Sequence, residues 1–351
     1  MKKRILVAPL NWGLGHATRC IPIINALAEN GFEPVIASDG EALKLLKKEF
    51  PSIHAVELPS YHIRYAKKGK FFKWKIIQDT PKLIRAVTLE NLKTKSILKE
   101  HKIDGIISDN RLGVFNKRVP SVFITHQLNV LSGNTTKIST KIHELFINQF
   151  NVCWVPDHKG EINLSGKLGH KEKYGIPTTH IGPISRFKPS NVKPINDVLV
   201  LLSGPEPQRS ILEEKLLKEF LNYKGNVLFV RGIIQSKQEY KVNGSITMYN
   251  FMTSQDLEQA INESALVVSR SGYTTIMDLA KLGKPAFFIP TPGQFEQEYL
   301  AKTLHERGIV PSCSQDEFKI EKLKEVKNYS GLPSVNGKLD FNKLFSFFQS
   351  E

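Results

Sequence analysis

Residues 269–278 combine the residue types and spacing that bind a phosphorylated ligand. Apolar residues before position 269 predict the end of a buried strand, the sequence Ser-Arg-Ser-Gly predicts a turn, and the residues after it predict a helix. Backbone N–H groups at the start of a helix, together with the Ser271 hydroxyl and the open backbone of Gly272, suit a phosphate. Thr275 and Asp278 then lie on the helix, where Asp278 can bind a sugar hydroxyl. In the alternative interpretation Ser271 is only an N-cap and Asp278 a solvated charge.

A second strand and loop follow at once and point to the same ligand. Residues 286–289 predict a buried strand, and a loop leads from it into a helix that carries Glu296 and Gln297. Adjacent parallel strands direct their following loops to one edge of the sheet, so these side chains are expected to hydrogen-bond a sugar. Upstream, Phe251 and Met252 precede another helix. We expect the backbone there to bind a base, with Phe251 covering its ring.

The first half of the chain contains a glycine turn between a predicted strand and a predicted helix. Two glycines allow a ligand to approach the backbone, and the helix start presents free N–H groups. The residues assigned here to the acceptor or phosphate side are Asn11, Gly13, Gly15 and Arg19. His16 is predicted to be a general base or an oxyanion ligand, with a packing role as the alternative. A dinucleotide fingerprint is disfavoured because Thr18 occupies the place of its third glycine.

Two further predicted strands of the first half end in polar residues. Asp109 closes one, and His126 and Gln127 follow the other. Since parallel strands end at the same edge, His16, Asp109 and His126 are three candidates for a general base. His16 ranks first because its glycine turn brings the backbone nearest to the reacting centre. Gln127 is expected on the acceptor side.

The elements that must position these residues alternate between strand and helix. Short apolar runs separated by helical patterns are typical of parallel strands that are covered on both faces. The runs are residues 5–8, 34–37, 104–107, 121–124, 198–202, 226–230, 266–268 and 286–289. They predict an α/β protein with two Rossmann-like parallel-sheet domains that face a central cleft.

A proline-containing stretch without periodicity separates the two halves. The sequence therefore predicts an acceptor-side domain at 1–183, a linker at 184–196 and a donor domain at 197–330, followed by a loop and short helix at 331–351. A length of 351 residues suffices for two such domains. Three scattered cysteines show no metal or redox spacing and favour a reducing cytoplasm.

The net charge of +15 is concentrated in the first half. Residues 1–183 contain 28 Lys and Arg against 15 Asp and Glu. No common nucleic-acid-binding motif is present, so we expect no nucleic acid partner. An anionic acceptor or an anionic membrane surface explains the one-sided charge. Residues 61–75, which mix cations with aromatic residues, are predicted to rest on the inner face of the cytoplasmic membrane, with a solvated loop as the alternative.

The second-half segments together resemble the donor site of family 28 glycosyltransferases, the family of the peptidoglycan N-acetylglucosaminyltransferase. The resemblance covers residues 198–305 best and the first half more loosely. It implies the GT-B fold, an inverting mechanism, a UDP-sugar donor and no required metal or other cofactor. It also implies that backbone near Phe251 binds uracil, that Asp278 holds the ribose, that the Ser-Gly turn lies by the diphosphate and that the Gln297 loop holds the sugar.

The loop of Ser203 and Gly204 stands where the family has a glycine-rich phosphate loop. Two prolines in it lack N–H donors, so Arg209 or Arg231 is expected to supply the missing charge. The hydroxyl acceptor is expected to be a lipid-linked or cell-envelope glycan. The glycine–histidine turn also resembles that of UDP-sugar hydrolases of pseudaminic acid synthesis, which leaves hydrolysis as the alternative reaction. A non-catalytic nucleotide-sugar sensor is the third hypothesis.

Overall fold

The computed structural model describes residues 2–61, 72–204, 206–333 and 339–349, with backbone only for 72–81. They form two compact units. The first contains the described residues up to Ile184 together with 339–349, and the second runs from Ser185 to residue 333. Most of the cationic and aromatic stretch at 61–75 lies outside the described residues. The predicted α/β architecture of two parallel-sheet domains is confirmed.

The first unit is built on a seven-stranded parallel sheet of order β3-β2-β1-β4-β5-β6-β7. Its strands are β1 Arg4–Pro9, β2 Glu33–Ser38, β3 Ala55–Glu57, β4 Gly105–Asp109, β5 Ser121–Ile124, β6 Val152–Val155 and β7 Thr178–His180. The central strands β4 and β5 are buried along their whole length. Their unbroken apolar runs follow from this, since both faces of the sheet are covered.

The second unit has a six-stranded sheet of order β10-β11-β9-β8-β12-β13. Its strands are β8 Asn196–Leu201, β9 Val227–Val230, β10 Tyr240–Asn243, β11 Ile246–Tyr249, β12 Ser264–Ser269 and β13 Ala286–Phe288. All are parallel except β10, which forms an antiparallel hairpin with β11. Each of the eight apolar runs overlaps a strand, whereas β3, β6, β7, β10 and β11 were not predicted.

Helices connect the strands and cover the sheets. In chain order the α-helices are α1 Gly15–Glu29, α2 Gly40–Glu49, α3 Phe72–His101, α4 Thr136–Ile147, α5 Gln208–Phe220, α6 Ser254–Asn262, α7 Tyr273–Leu282, α8 Phe295–Glu306 and α9 Phe341–Phe345. 3₁₀ segments occupy Gly133–Thr135, Gly166–Leu168, Ile320–Asn328 and Ser346–Phe348. Within the described ranges, no helix has the length and apolar character needed to cross a membrane.

The C-terminal segment returns to the first unit. The Phe348 ring lies 6.4 Å from the ring of Trp154, and the Phe345 ring lies 5.8 Å from that of Phe32. A Cβ on Gly105 would approach Phe348 Cδ1 to 2.5 Å, so glycine at this strand start makes room for the ring. The apolar residues of the predicted terminal helix therefore pack into the core of the first unit.

Each sheet reverses its strand order at one point. In the first sheet β1 continues to β2 on one side and the chain then crosses to β4 on the other; β8 has the same position between β9 and β12 in the second sheet. Pro9 pairs with Asp109 at the carboxyl end of the first crossover, and Leu201 pairs with Ser269 at that of the second. Ligands of such sheets bind outside the carboxyl ends at this point. The fold thus marks one candidate site in each unit.

Candidate functional site

The candidate site of the first unit is centred on a buried ion pair between Arg19 and Asp109. Arg19 lies on the second turn of α1, and its Nε and Nη2 donate to the two carboxylate oxygens of Asp109. Both residues are almost completely buried. Burial alone would raise the pKa of Asp109, but the charges of Arg19 and then His16, with their hydrogen bonds, lower it to about 2. Asp109 is therefore a fixed negative charge at neutral pH.

His16 contacts both residues of this pair and is the most accessible member of the cluster. Its Nδ1 is 2.8 Å from Asp109 Oδ1 and also 2.8 Å from Arg19 Nη2. The tautomer decides which bond forms, because a protonated Nδ1 donates to Asp109 and an unprotonated one accepts from Arg19. With the proton on Nδ1 the lone pair is on Nε2, to which no residue within the described ranges hydrogen-bonds. This arrangement is that of a histidine oriented by a carboxylate.

His126 and Cys20 are the remaining members of this cluster. Arg19 Nη1 lies 3.1 Å from His126 Nδ1, and the Cys20 thiol faces Asp109 Oδ2 at 3.7 Å. His126 is 3% exposed, whereas the His16 side chain is 13% exposed. Burial and the negative charge of Asp109 raise the pKa of the Cys20 thiol. His16 is thus the candidate base with the best access to a ligand, and Arg19 joins all three candidates.

A second buried network supports the glycine turn and was not predicted from the sequence. Arg111 donates to Glu90 Oε1 at 2.5 Å and to Asp39 Oδ1 at 2.6 Å, and all three residues are buried. The other oxygen of Asp39 accepts from the Asn11 side chain at 3.1 Å. Asn11 Oδ1 in turn accepts the N–H of Ala42 at 3.3 Å. Asn11 therefore fixes the turn to the start of α2.

The glycine turn has the backbone conformation that its sequence predicts. Gly13 has a φ of +72°, which favours glycine, and no atom lies within 4 Å of a Cβ built there. Gly15 is the first residue of α1. Gln127 follows the end of β5 and its N–H donates to Thr125 Oγ1 at 3.0 Å. The structure thus places Gly13, Gly15 and Gln127 after the carboxyl ends of β1 and β5.

In the second unit, the turn after β12 is organised by Arg270. Its side chain is 1% exposed. Among the residues that the structure describes it donates only to neutral oxygens, which are the carbonyls of Gln208, Ile289 and Pro290 and the side-chain oxygen of Gln315. Burial lowers the pKa of Arg270 to about 10, and the group is still a cation at neutral pH. Arg270 thereby ties the loops after β8 and β13 to its own turn. A buried positive charge therefore lies directly after β12, next to the point where the strand order reverses.

The Ser271 hydroxyl is used inside the protein. It donates to the backbone carbonyl of Gln297 at 2.8 Å, and Ser271 is fully buried. The Gln297 side-chain oxygen accepts the N–H of Thr291 at 2.8 Å. The Ser271 bond therefore joins the turn after β12 to the residues that follow the loop after β13. Gly272 is the N-cap of α7, and nothing lies within 4 Å of a Cβ built on it.

Asp278 is buried on α7 without an ion-pair partner among the residues that the structure describes. Ser185 Oγ donates to its Oδ1 at 2.6 Å. Burial raises the pKa of Asp278 to about 6, although the charge of Arg186 and the bond from Ser185 act in the opposite direction. The alternative of a solvated charge does not apply, because only 7% of the residue is exposed.

Arg209 and Arg231 are both paired with Glu213. Arg209 Nη1 lies 3.0 Å from Glu213 Oε2, and Arg231 Nε lies 2.8 Å from Glu213 Oε1. Arg209 Nη2 also pairs with Glu206. The two arginines that were expected to supply charge to a diphosphate are thus partly neutralised by acids on and beside α5. Arg231 is the more accessible, with 34% of its side chain exposed.

The other residues predicted for this site also follow the carboxyl ends of parallel strands. They are Ser203 and Gly204 after β8, Phe251 and Met252 after β11, Thr275 on α7 and Glu296 on α8. Phe251 is buried, and its N–H donates to Asn250 Oδ1 at 2.8 Å. Gly204 has a φ of +95°. Nothing in the sequence singled out Glu213 or Ser185 as functional candidates, and neither they nor Arg270 were predicted. For Arg270, its position inside the Ser-Gly turn was the one available signal.

Comparisons with known proteins find that this chain is similar to glycosyltransferases. Residues 209–329 match the model of the glycosyltransferase family 28 C-terminal domain. An uncharacterized glycosyltransferase of Methanosarcina acetivorans is 24% identical over 92% of this chain and 89% of its own. The UDP-N-acetylglucosamine--N-acetylmuramyl-(pentapeptide) pyrophosphoryl-undecaprenol N-acetylglucosamine transferase of Clostridium perfringens is 23% identical over 93% of this chain and 90% of its own.

A solved structure shares the fold over almost the whole length. MurG of Acinetobacter baumannii superimposes with a TM-score of 0.56 at 15% identity, covering 99% of each chain. The resemblance to family 28 glycosyltransferases and the GT-B fold are thereby confirmed.

Proposed function

Because this chain is a glycosyltransferase of the GT-B fold that carries a family 28 C-terminal domain, we propose that it transfers a hexose or N-acetylhexosamine from a UDP-sugar to a hydroxyl acceptor. The reaction inverts the anomeric centre and requires no metal or other cofactor. The observation that carries the proposal is the joined turn of 269–272 and loop of 291–297 at the carboxyl edge of the second sheet. Relatives named for a UDP-sugar substrate support the choice of donor.

The donor is assigned to the second unit in three parts. Asp278 accepts a hydrogen bond from a ribose hydroxyl, the loop of Phe251 and Met252 contacts the uracil, and the loop of Glu296 and Gln297 binds the sugar. The backbone at Gly272 lies by the diphosphate, where the N-terminus of α7 favours negative charge. Ser203, Gly204 and Thr275 line the same region.

The leaving diphosphate gains negative charge in the transition state. Arg270 supplies a buried cation that donates to neutral oxygens, and the N-termini of α5 and α7 add positive partial charge. Arg231 has the accessibility to reach a phosphate if it gives up part of its bond to Glu213. These groups are the reason for proposing a mechanism without Mg²⁺. Full activity in excess EDTA is the expected result, and a loss that Mg²⁺ restores would contradict it.

The acceptor is assigned to the first unit. In the step we propose, the acceptor oxygen attacks the anomeric carbon, the bond from that carbon to the diphosphate oxygen breaks, and His16 Nε2 takes the acceptor proton. Asp109 holds the proton on Nδ1 and stabilises the imidazolium that forms. Arg19 fixes Asp109, and Asn11, Gly13, Gly15, His126 and Gln127 shape the surroundings. An acceptor linked to a lipid, at the inner face of the cytoplasmic membrane, is part of the proposal.

A panel of nucleotides and nucleotide sugars tests the donor assignment by thermal shift. Uridine diphosphates are expected to raise the unfolding temperature because they bind only the folded chain. No response to any uridine compound would overturn the donor assignment. Anionic vesicles at low salt test the membrane part, and failure of the full chain to sediment with them would remove it.

Hydrolysis is the second candidate reaction, since an oriented His16 can activate water as well as an acceptor hydroxyl. A UDP-sugar assay without acceptor separates the two. Rapid release of UDP under these conditions would favour the hydrolase, and release that depends on added acceptor would favour the transferase. A sensor without catalysis would show binding but no UDP release in either assay.

A further inference from the structure

The segment that follows the first unit makes hydrogen bonds that no sequence pattern indicated. Ser185 is the first residue of the second unit. Its Oγ donates to Asp278 Oδ1 at 2.6 Å and accepts the N–H of Phe187 at 3.1 Å. The hydroxyl is therefore used as both donor and acceptor. It holds one carboxylate oxygen of Asp278 in a fixed position.

The next residue reaches another element of the candidate donor site. Arg186 Nη1 donates to Ser254 Oγ at 3.0 Å, and Ser254 is the first residue of α6, directly after the loop of Phe251 and Met252. The Arg186 guanidinium also lies 4.7 Å from the centre of the Phe187 ring. Two consecutive residues thus contact the two elements that we assign to the ribose and the base.

Further bonds fix this segment along α6. The N–H of Lys188 donates to Glu258 Oε2 at 2.7 Å, and the N–H of Ser190 donates to Asn262 Oδ1 at 3.2 Å. The Asn262 side chain returns a bond to the carbonyl of Lys188 at 3.1 Å. Because these bonds use backbone groups of the segment, Ser185 and Arg186 are anchored independently of their own side chains.

The contact with Ser185 leaves half of the Asp278 carboxylate for a ligand. Among the residues that the structure describes, none donates to Oδ2. Burial raises the pKa of Asp278 to about 6, whereas the charge of Arg186 and the Ser185 bond lower it. Both residues therefore favour the ionised carboxylate. That form is the one that accepts a hydrogen bond from a ribose hydroxyl.

We infer that Ser185 and Arg186 are positioning residues of the nucleoside site, which hold Asp278 through Oδ1 with Oδ2 left for a ribose hydroxyl and fix the start of α6 beside the base loop. The inference rests on the proposed function, in which Asp278 binds the ribose. It extends the nucleoside site beyond residues 209–329, which match the family model. Recognition of the nucleoside then depends also on Ser185 and Arg186 at the start of the second unit.

Calorimetric titration of the full chain with UDP, over about pH 5.5 to pH 8, tests this inference. The variant Ser185→Ala is expected to bind UDP about tenfold more weakly at neutral pH, because it loses a hydrogen bond to a charged group. The affinity is expected to fall at acid pH, where Asp278 becomes protonated. In the variant this acid limb of the affinity profile is expected to move to higher pH, since the bond that favours ionised Asp278 is gone. A packing role alone would not move that limb. Arg186→Gln is expected to move it in the same direction.

Two further variants serve as controls. Ser185→Thr keeps the hydroxyl and is expected to restore the affinity and the pH profile. Ser190→Ala makes the same change at an exposed position of the same segment, where only the backbone is bonded, and is expected to match the parent protein. If Ser185→Ala gives the same profile as Ser190→Ala, or weaker binding with an unmoved acid limb, the inference is wrong and the proposed function stands. If the parent protein does not bind UDP, both fail.

Discussion

Two buried aspartates, one at the end of β4 and one on α7 after β12, have opposite surroundings. Asp109, in the first unit, is held by the guanidinium of Arg19 and by His16. Asp278, in the second, receives one hydroxyl bond from Ser185 and has no ion-pair partner among the described residues. The pKa of Asp109 is lowered to about 2, and that of Asp278 is raised to about 6.

The comparison shows how burial gives one residue type two roles. A buried carboxylate that is paired with arginine keeps its charge and can orient a neighbour, as Asp109 orients His16. A buried carboxylate without a counter-charge is costly when ionised, so a ligand hydroxyl that bonds to it recovers part of that cost. The first environment suits a support for catalysis, and the second suits a binding residue.

Removing the charge of Asp109 is expected to have the largest effect. Asp109→Asn keeps the shape but leaves Arg19 buried without a counter-charge, which costs about 3–5 kcal/mol of unfolding free energy. Denaturant unfolding measures the loss, and transferase activity is expected to disappear as well. The double variant Arg19→Met with Asp109→Leu removes both charges and is expected to recover most of the stability but not the activity.

The matched control for this prediction is Asp104→Asn. Asp104 is exposed and accepts the N–H of Arg4 at 2.7 Å, so its loss is expected to cost no more than about 1 kcal/mol. Equal destabilisation by Asp104→Asn and Asp109→Asn would contradict the prediction, because the buried pair would then contribute no more to the unfolding free energy than one exposed hydrogen bond.

Replacing His16 is expected to separate catalysis from binding. His16→Ala removes the proposed base, and kcat is expected to fall by about 10²–10⁴-fold. The affinity for UDP is expected to be unchanged, because the donor is assigned to the second unit. His158→Ala, at an exposed histidine of the same unit, is the control and is expected to retain activity. If His16→Ala retains kcat, His16 is not the base, and His126 becomes the leading candidate.

The two aspartates are also expected to give stability opposite dependences on pH. For Asp278 the folded chain binds more protons than the unfolded chain between about pH 4 and pH 6, so the unfolding free energy falls as pH rises through that window, by up to roughly 3 kcal/mol. For Asp109 the folded chain binds fewer protons between about pH 4 and pH 2, so stability is lost as pH falls there. Urea midpoints against pH measure both slopes. Asp278→Asn is expected to remove the first, and its persistence would refute the assignment.

The sequence predicted the strand ends better than the contacts made there. Unbroken apolar runs located β1, β4, β8 and β12, and the polar residues after them are the residues found at the two reversal points. Local patterns cannot show which distant side chains meet. Arg19 and Asp109 are 90 positions apart, and Ser185 and Asp278 are 93 apart.

Buried charges were the hardest features to predict. Arg111 and Glu90 are ordinary charged residues in the sequence, yet both are fully buried as partners. Arg270 is likewise buried against carbonyl groups that come from two places, the start of α5 and the loop after β13. Whether a charged residue faces solvent or a partner depends on the tertiary arrangement of those elements, which neither composition nor periodicity contains. The candidate sites were therefore predicted from the polar residues after strands, while the buried contacts within them could be seen only in the structure.

The two glycine turns allow the comparison to be tested with the smallest change. Gly272 has a φ of −70° and open space around its Cβ position, so Gly272→Ala is expected to alter the unfolding free energy by no more than about 1 kcal/mol. Gly13 has equal space but a φ of +72°, so Gly13→Ala is expected to cost about 1–2 kcal/mol of unfolding free energy.

For the affinity for UDP, the larger effect is instead expected at Gly272. Gly272→Ala places a methyl group where the diphosphate is assigned and is expected to weaken binding about tenfold, a loss of about 1.4 kcal/mol. Gly13→Ala, once folded, is expected to bind UDP normally, and tight binding by Gly272→Ala would move the diphosphate away from the α7 N-terminus.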